Sequence, residues 1–426
     1  MYGVEPEYCN NLWIRTFLFP FSSSLLPSSY LYFFFSYSSS RYLVLYSYQA
    51  DKDVTGIAPN VVTIAWLEKA SSSYDYPKME IYMRWQLARL NADKYLLPFT
   101  RLELRHEVLD KSTSSGEFTA ACERHRLEAE AEGKPVIGFL SSGSSRTKDV
   151  LNMASPLPTI AYSSTQAILE SKLKYPWLVR MFPSDSQRAD ATVKMMRSFG
   201  WSKIFMMVDQ NSQWATSLAK DITDKGKTFG IEIDNWWTPN LRNMSKVNAT
   251  KANLAAAAKH ARDSGFKVIV LAMSTYVELA VRALYDEGLY GKGIVIIGSA
   301  QSYFARNEAD FVGAERNVLD SSMVLVESGI DRTLEHSIAA MAAWPGGKGT
   351  FLTNANMKNG AYALDGLQLF AQSVDATINR GRSPLIAAEL MSSLRTTTVS
   401  GLTGTFKIET GWNNIRSREC VLVPVI

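Results

Sequence analysis

Hydroxyl-bearing loops are the residues best placed to do chemistry in this sequence. Ser141-Ser142-Gly143-Ser144-Ser145 follows the apolar run Pro135–Leu140 and precedes a helical pattern. Backbone N–H groups and hydroxyls at a helix start suit an anionic group such as a carboxylate. The same residues also suit a solvated serine cap. Ser163-Ser164-Thr165 sits in the same position after the next apolar run, Pro158–Tyr162. Two such loops side by side at one sheet end favour a polar small-molecule site. Farther along, Asp209-Gln210-Asn211-Ser212-Gln213-Trp214 supplies an acid and an indole. An indole on a polar loop can cover a ligand by stacking or cation–π contact, or simply pack on its neighbours. Ser274 follows the run Lys267–Ala272, and Ala300 follows Ile294–Ile297. The set is rich in hydroxyls and aromatics and poor in acids, which favours recognition over reaction.

Signatures of catalysis are absent. Gly138-Phe139-Leu140-Ser141-Ser142 does not place serine at the third position of a nucleophile elbow. Gly346-Gly347-Lys348-Gly349-Thr350 lacks the Ser or Thr directly after Lys that a phosphate loop requires. Glu128, Glu130 and Glu132 belong to a charge run that reads as a solvated helix face. The four histidines and three cysteines have no metal-ligand spacing, so no metal or cofactor is implied. A net charge of +4 over 426 residues gives no electrostatic case for nucleic acid. With 46% hydrophobic and 20% charged residues the chain has ample material for packed cores. Asn243-Met244-Ser245 and Asn248-Ala249-Thr250 are glycosylation sequons, mild support for an exported chain.

Apolar runs alternating with helical patterns must position these loops. Val61–Leu67, Leu102–Val108, Pro135–Leu140 and Pro158–Tyr162 read as strands. Helical patterns lie between them, the last at Arg146–Met153. The alternation resumes with the helix Asp185–Phe199 and the strands Lys203–Val208, Ile231–Trp236, Lys267–Ala272, Ile294–Ile297 and Ser322–Val326. Helices at Arg332–Ala343, Asn359–Asn379 and Pro384–Arg395 follow, then short strands around Thr403–Ile408 and Trp412–Ile415. The pattern predicts an α/β chain with two doubly wound parallel sheets. Ligands on such sheets sit beyond the carboxyl ends of the strands, where the loops above fall. Residues 1–57 stand apart: Leu12–Tyr48 is aromatic, aliphatic and serine-rich, with Arg15 and Arg41 its only charges. Pro20 and Pro27 interrupt any helix there, and the segment reads as an export signal, an anchor or an ill-defined start.

Ile160–Val208 carries Ser163–Thr165, Tyr175, Arg180, Pro183-Ser184-Asp185 and Gly200-Trp201 in that order. With these features it closely resembles the ligand-binding region shared by class C G-protein-coupled receptors and receptor guanylate cyclases. Leu87–Asp110 looks like the family's first helix and second strand. Ala361–Ile378 looks like its late helix, and Gly401–Trp412 like its closing strand pair.

The resemblance implies a periplasmic-binding-protein type I fold, the bilobed Venus flytrap with a hinge. Lobe 1 would hold residues 58–183 and 324–397, and lobe 2 residues 184–323 and 398–426. The crossings would fall near Ser184, Val324 and Thr398. The resemblance also implies that Ser142, Gly143, Ser144 and Ser145 hold a ligand carboxylate, with Ser163, Ser164 and Thr165 beside them. Trp214 and Ser274 would face them from lobe 2. The family's ligand-amine acid falls at Ala300, a departure, and Asp209 is the acid that would replace it. Cys122 has no evident partner for the family's lobe-1 disulfide. The implied partners are a small polar molecule, such as an amino acid or related carboxylate, and a second subunit against lobe 1. Membrane attachment on the extracellular face would run through the N-terminal apolar segment or a segment past the C-terminus. A receptor sensor domain, a transporter-type solute-binding protein and an α/β enzyme stay open as functions.

Overall fold

The computed structural model of the chain describes residues 31–37, 43–49, 59–70, 76–238, 247–273, 276–298, 313–320, 322–327, 354–408 and 420–424. The chain divides into two compact units, Met1–Gly56 and Ile57–Ile426. In the first, β1 (Leu31–Tyr37) and β2 (Leu43–Gln49) pair antiparallel, Leu31 opposite Gln49. Among the described residues no helix is long and apolar enough to cross a membrane.

The second unit begins with β3 (Val61–Lys69), α1 (Tyr76–Ala92), β4 (Arg101–Leu109), α2 (Ser115–Ala131), β5 (Val136–Ser141), α3 (Ser144–Leu151), β6 (Thr159–Ala161) and β7 (Leu178–Arg180). It continues with α4 (Asp185–Ser198), β8 (Lys203–Asp209), α5 (Gln213–Thr228), β9 (Glu232–Thr238), α6 (Val247–Asp263), β10 (Val268–Ala272), α7 (Val277–Asp286), β11 (Val295–Gly298), α8 (Ala314–Leu319) and β12 (Ser322–Glu327). The last elements are α9 (Asn354–Asn379), α10 (Ala387–Thr396), β13 (Val399–Gly401), β14 (Gly404–Phe406) and β15 (Cys420–Pro424).

Lobe 1 is built on a five-stranded parallel sheet in the order β4-β3-β5-β6-β7. Its strands read as continuous apolar runs because helices cover both faces. α1, α9 and α10 pack on one face around Trp66, Met83, Leu140 and Phe370. α2 and α3 pack on the other, around Phe118, Cys122, Phe139 and Val150. Gly138 is required where β5 meets α9, since a Cβ there would lie 2.6 Å from the Phe370 ring. Lobe 2 carries five parallel strands, β9-β8-β10-β11-β12, with β15 added antiparallel at the edge. α6, α7 and α8 cover one face and α4 and α5 the other. The two-lobed, doubly wound expectation therefore matches the structure.

The crossings differ in detail from those expected. β12 stays in the second sheet to Glu327, beyond Val324. Val399, Phe406 and Ile408 lie in the first core, beyond Thr398. The β13–β14 turn is tied to α9 by the buried Asp365, which accepts the N–H groups of Leu402 and Thr403 at 2.7 and 2.8 Å. That anchor keeps the hairpin with lobe 1. The expected helix Arg332–Ala343 and strand Trp412–Ile415 lie outside the described residues.

In each parallel sheet the connections reverse direction once, between β3 and β5 in lobe 1 and between β8 and β10 in lobe 2. The crevice at such a reversal, beyond the carboxyl strand ends, is where doubly wound sheets bind ligands.

Candidate functional site

At the lobe 1 reversal the strand ends are Glu68-Lys69 and Ser141-Ser142. Ser142 is buried and fully committed within the protein. Its N–H and Oγ–H donate to Glu68 Oε1 and Oε2 at 3.0 and 2.6 Å, and its carbonyl accepts Arg146 Nε at 2.8 Å. Gly143 takes a left-handed φ of +67°, which glycine tolerates, and its N–H donates to Ser163 Oγ at 3.2 Å. Ser164 is buried, its hydroxyl 2.6 Å from Thr147 Oγ1. Ser142, Gly143 and Ser164 thus shape the loops.

Ser144, Ser145 and Ser163 keep hydroxyl protons to give, while the Thr165 side chain lies against Asp185. Ser144 Oγ accepts the N–H groups of Thr165 and Gln166 at 3.2 and 3.1 Å, which locks the two loops together and leaves its own proton to give. Ser145 is exposed in the first turn of α3, and Ser163 and Thr165 are half-buried. First-turn N–H groups have no acceptor within their own helix, so this corner offers hydroxyl and amide donors to an anion.

Beside it stands a residue that the loop analysis passed over. Asp185 opens α4, directly after the N-cap Ser184, whose hydroxyl accepts the Gln187 N–H in a capping box. The Asp185 N–H donates to the Thr165 carbonyl at 2.7 Å, so its backbone touches the donor corner. Its side chain is fully buried, and among the described residues neither carboxylate oxygen accepts a hydrogen bond of proper geometry. Burial pushes its pKa up to about 6, moderated by the nearby Arg188, Thr165 and Arg180 and reinforced by Asp221. Arg188, Thr165 and Arg180 make up only part of the hydration this buried carboxylate loses, and a cation placed against it would add to that.

From lobe 2, Asp209 is buried at the end of β8, where its Oδ1 accepts the Asn211 N–H at 3.1 Å. Trp214 lies in the first turn of α5, partly buried against the core that holds Ala189, Leu218 and Ile222. Tyr276, just after β10, takes φ +54°, a strained backbone for a residue with a side chain. Ser274, Ala300 and Asn243 lie outside the described residues. Asn248 is in the first turn of α6.

A cleft of about 620 Å³ opens between the lobes next to this corner. Gln166 and Ile168, which follow Thr165, line its lobe 1 side, and Thr216, Ser217 and Trp237 its lobe 2 side. Its volume is that of an ordinary small-molecule site. Among the described residues no cluster of His, Cys, Asp or Glu is suited to a metal. Cys122 is a free thiol in the lobe 1 core.

The family model for the receptor family ligand binding region matches residues 83–415. The chain is 29% identical over 154 residues to metabotropic glutamate receptor 6 of Mus musculus, covering 30% of this chain and 18% of the receptor. It is 24% identical over 99 residues to metabotropic glutamate receptor-like protein E of Dictyostelium discoideum, covering 23% of this chain and 12% of that protein. The matches therefore span less than a fifth of either receptor. Among solved structures, an ABC transporter substrate-binding protein from Desulfitobacterium hafniense superposes with a TM-score of 0.62 at 14% identity. The superposition covers 85% of this chain and 96% of that one.

Proposed function

The chain belongs to the receptor family ligand binding region family, and from that premise we propose that it is the extracellular sensor domain of a membrane receptor. The ligand is a small zwitterion of the amino-acid type, held between the lobes. Its carboxylate meets the hydroxyls of Ser144, Ser145 and Ser163 and the first-turn N–H groups of α3. Its ammonium group meets Asp185. The observation that carries this reading is the fully buried Asp185 carboxylate, whose oxygens accept no hydrogen bond of proper geometry among the described residues and whose backbone touches Thr165. Opposite charges recognised at adjacent points are what an α-amino acid presents.

Binding becomes a signal through closure. A ligand that touches lobe 1 at α3 and lobe 2 at α4 makes more contacts in the closed form than in the open one. It therefore raises the closed population in proportion to that difference in affinity. In a receptor, closure would act on a second subunit packed against lobe 1.

A transporter-type solute-binding protein is the second reading, supported by the substrate-binding protein whose chain is almost entirely covered by the superposition. Both readings share the site and its test. Titration calorimetry of the twenty amino acids against the whole chain should find at least one binder, with affinity lost in Asp185→Asn. If none of the twenty binds, or if Asp185→Asn binds as well as wild type, the zwitterion assignment fails.

A further inference from the structure

The cleft of about 620 Å³ carries two features that a zwitterionic head group leaves unused. The first is apolar surface. β9 is the edge strand of the lobe 2 sheet and pairs parallel with β8, Trp237 opposite Val208. Side chains alternate along a strand, so Ile233, Asn235 and Trp237 share one face. Ile233 packs into the core beneath α5, whereas Trp236, pointing the other way, joins the core beneath α6. Trp237 stands near the carboxyl end of the strand, on the wall of the cleft, with 41% of its surface exposed. Ile168 stands on the lobe 1 wall with 51% exposed. Two large apolar side chains left open on facing walls of one cleft suit a flat apolar group between them.

The second feature is an acceptor that lacks a donor. Asn235 Nδ2 donates to Thr223 Oγ1 at 2.9 Å, and the Thr223 hydroxyl donates in turn to the Ala219 carbonyl at 2.8 Å. The Thr223 proton is therefore engaged, so only a donor can face its oxygen from Asn235, and the orientation of the amide follows. Oδ1 is turned away from Thr223, is shielded from water and accepts no hydrogen bond among the described residues. An amide oxygen in that state has lost its hydration without replacement, and a ligand N–H or O–H supplies the missing partner.

The charges on the walls select against ionic side chains. Lys220 and Asp224 pair at 3.0 Å and offset each other, while Lys148 adds a positive charge from lobe 1. A carboxylate would suit Lys148, but it gives no proton to Asn235 Oδ1 and no apolar face to Trp237 and Ile168. Lysine or arginine would donate to Oδ1 but would meet the Lys148 ammonium. A neutral ring meets neither conflict, and a lysine ammonium is a favourable neighbour for its π face.

We propose that the ligand is an aromatic amino acid whose ring carries a hydrogen-bond donor, tryptophan by its indole N–H or tyrosine by its phenol, with the ring between Trp237 and Ile168 and the donor on Asn235 Oδ1. Trp237 and Asn235 are then the residues that determine specificity. This inference rests on the zwitterion reading of the same site and names the side chain that goes with it.

Titration calorimetry of the twenty amino acids against the whole chain should rank tryptophan or tyrosine first. The tighter of the two should lose at least about tenfold in affinity when its donor is removed, phenylalanine standing in for tyrosine and benzothienylalanine for tryptophan. Asn235→Leu removes the acceptor at similar volume and should shrink that gap to less than about threefold. A purely structural role for Asn235 would weaken both members of the pair alike and keep the gap, which overturns the donor assignment. Trp237→Ala should weaken the aromatic ligand at least about tenfold, and unchanged affinity overturns the ring assignment. Wild type alone decides should a variant fail to fold: a tightest ligand other than tryptophan or tyrosine, or no gap between the donor-bearing ring and its stand-in, overturns the inference. In that case affinity that still falls in Asp185→Asn leaves the zwitterion reading standing. If none of the twenty binds, both fall together.

Discussion

Replacing Asp185 by asparagine should stabilise the empty protein while weakening its hold on the ligand. The carboxyl is buried and its pKa is pushed up to about 6, against about 3.9 for an unfolded aspartate. A raised carboxyl pKa means that the folded state favours the neutral form. The resulting stabilisation is fully present below the unfolded pKa and is lost as pH rises through about 6. At pH 7 the charged group thus costs on the order of 3 kcal/mol, at 1.36 kcal/mol per unit of difference. Asp185→Asn removes that cost, of which the repulsion from Asp221 is already a part. For a unit the size of Ile57–Ile426 this amounts to a melting temperature higher by about 4 °C. Scanning calorimetry at pH 7 and at pH 4 is the assay. The variant should melt above wild type at pH 7, and most of the gap should be gone at pH 4, where the wild-type carboxyl is neutral in the folded state. Ligand affinity at pH 7 should meanwhile fall by about 10- to 100-fold, the loss of one charge-assisted hydrogen-bonded contact. A variant no more stable than wild type at pH 7 would refute the claim that burial of this carboxylate is only partly compensated.

Other residues separate scaffold from site. Ser142→Ala leaves Glu68 short of a hydroxyl donor and should cost about 1–3 kcal/mol in denaturant titrations. Ser145→Ala should leave stability within about 0.5 kcal/mol, while amino-acid affinity measured by calorimetry falls. A Cβ at Gly401 would lie 2.2 Å from Asp365 Oδ1, so Gly401→Ala should destabilise lobe 1 by about 1–3 kcal/mol, read as a lowered melting temperature. Burial pushes the Cys122 thiol up to about 12. Colorimetric thiol titration of the native chain should therefore give the same fast-reacting count for wild type and Cys122→Ser.

The lobes were legible because a doubly wound sheet advertises itself: buried parallel strands are apolar throughout, and their covering helices carry the helical period. β7 was missed because Leu178–Arg180 is three residues long and follows Pro176-Trp177, which reads as a turn. β15 was missed because its partner, β12, lies about a hundred residues earlier in the chain, and one edge strand has no local signal. The lobe boundaries shifted for a related reason. Val399 and Phe406 are apolar residues that fit either core, and the tie that decides, from Asp365 to Leu402 and Thr403, joins distant segments.

The candidate site was legible as a place more than as a set of groups. Serines at strand ends located the corner, but sequence does not say which hydroxyls are already engaged. Ser142 is committed to Glu68, 74 residues away in the chain. Asp185 looked like an ordinary first-turn acid beside a helix dipole. Its burial arises from the packing of α4 against the Thr165 loop, which no local pattern encodes. One signal was available for Glu68: an acid at the end of an otherwise apolar, buried strand needs partners, and the serine loop was the nearest supply.

Closure around a ligand is the central claim, and small-angle X-ray scattering of the whole chain tests it directly. The radius of gyration should fall when a saturating amino acid, identified by calorimetry, is added, and Asp185→Asn should show no such change at the same concentration. An unchanged scattering curve for wild type with the site demonstrably filled would contradict the account.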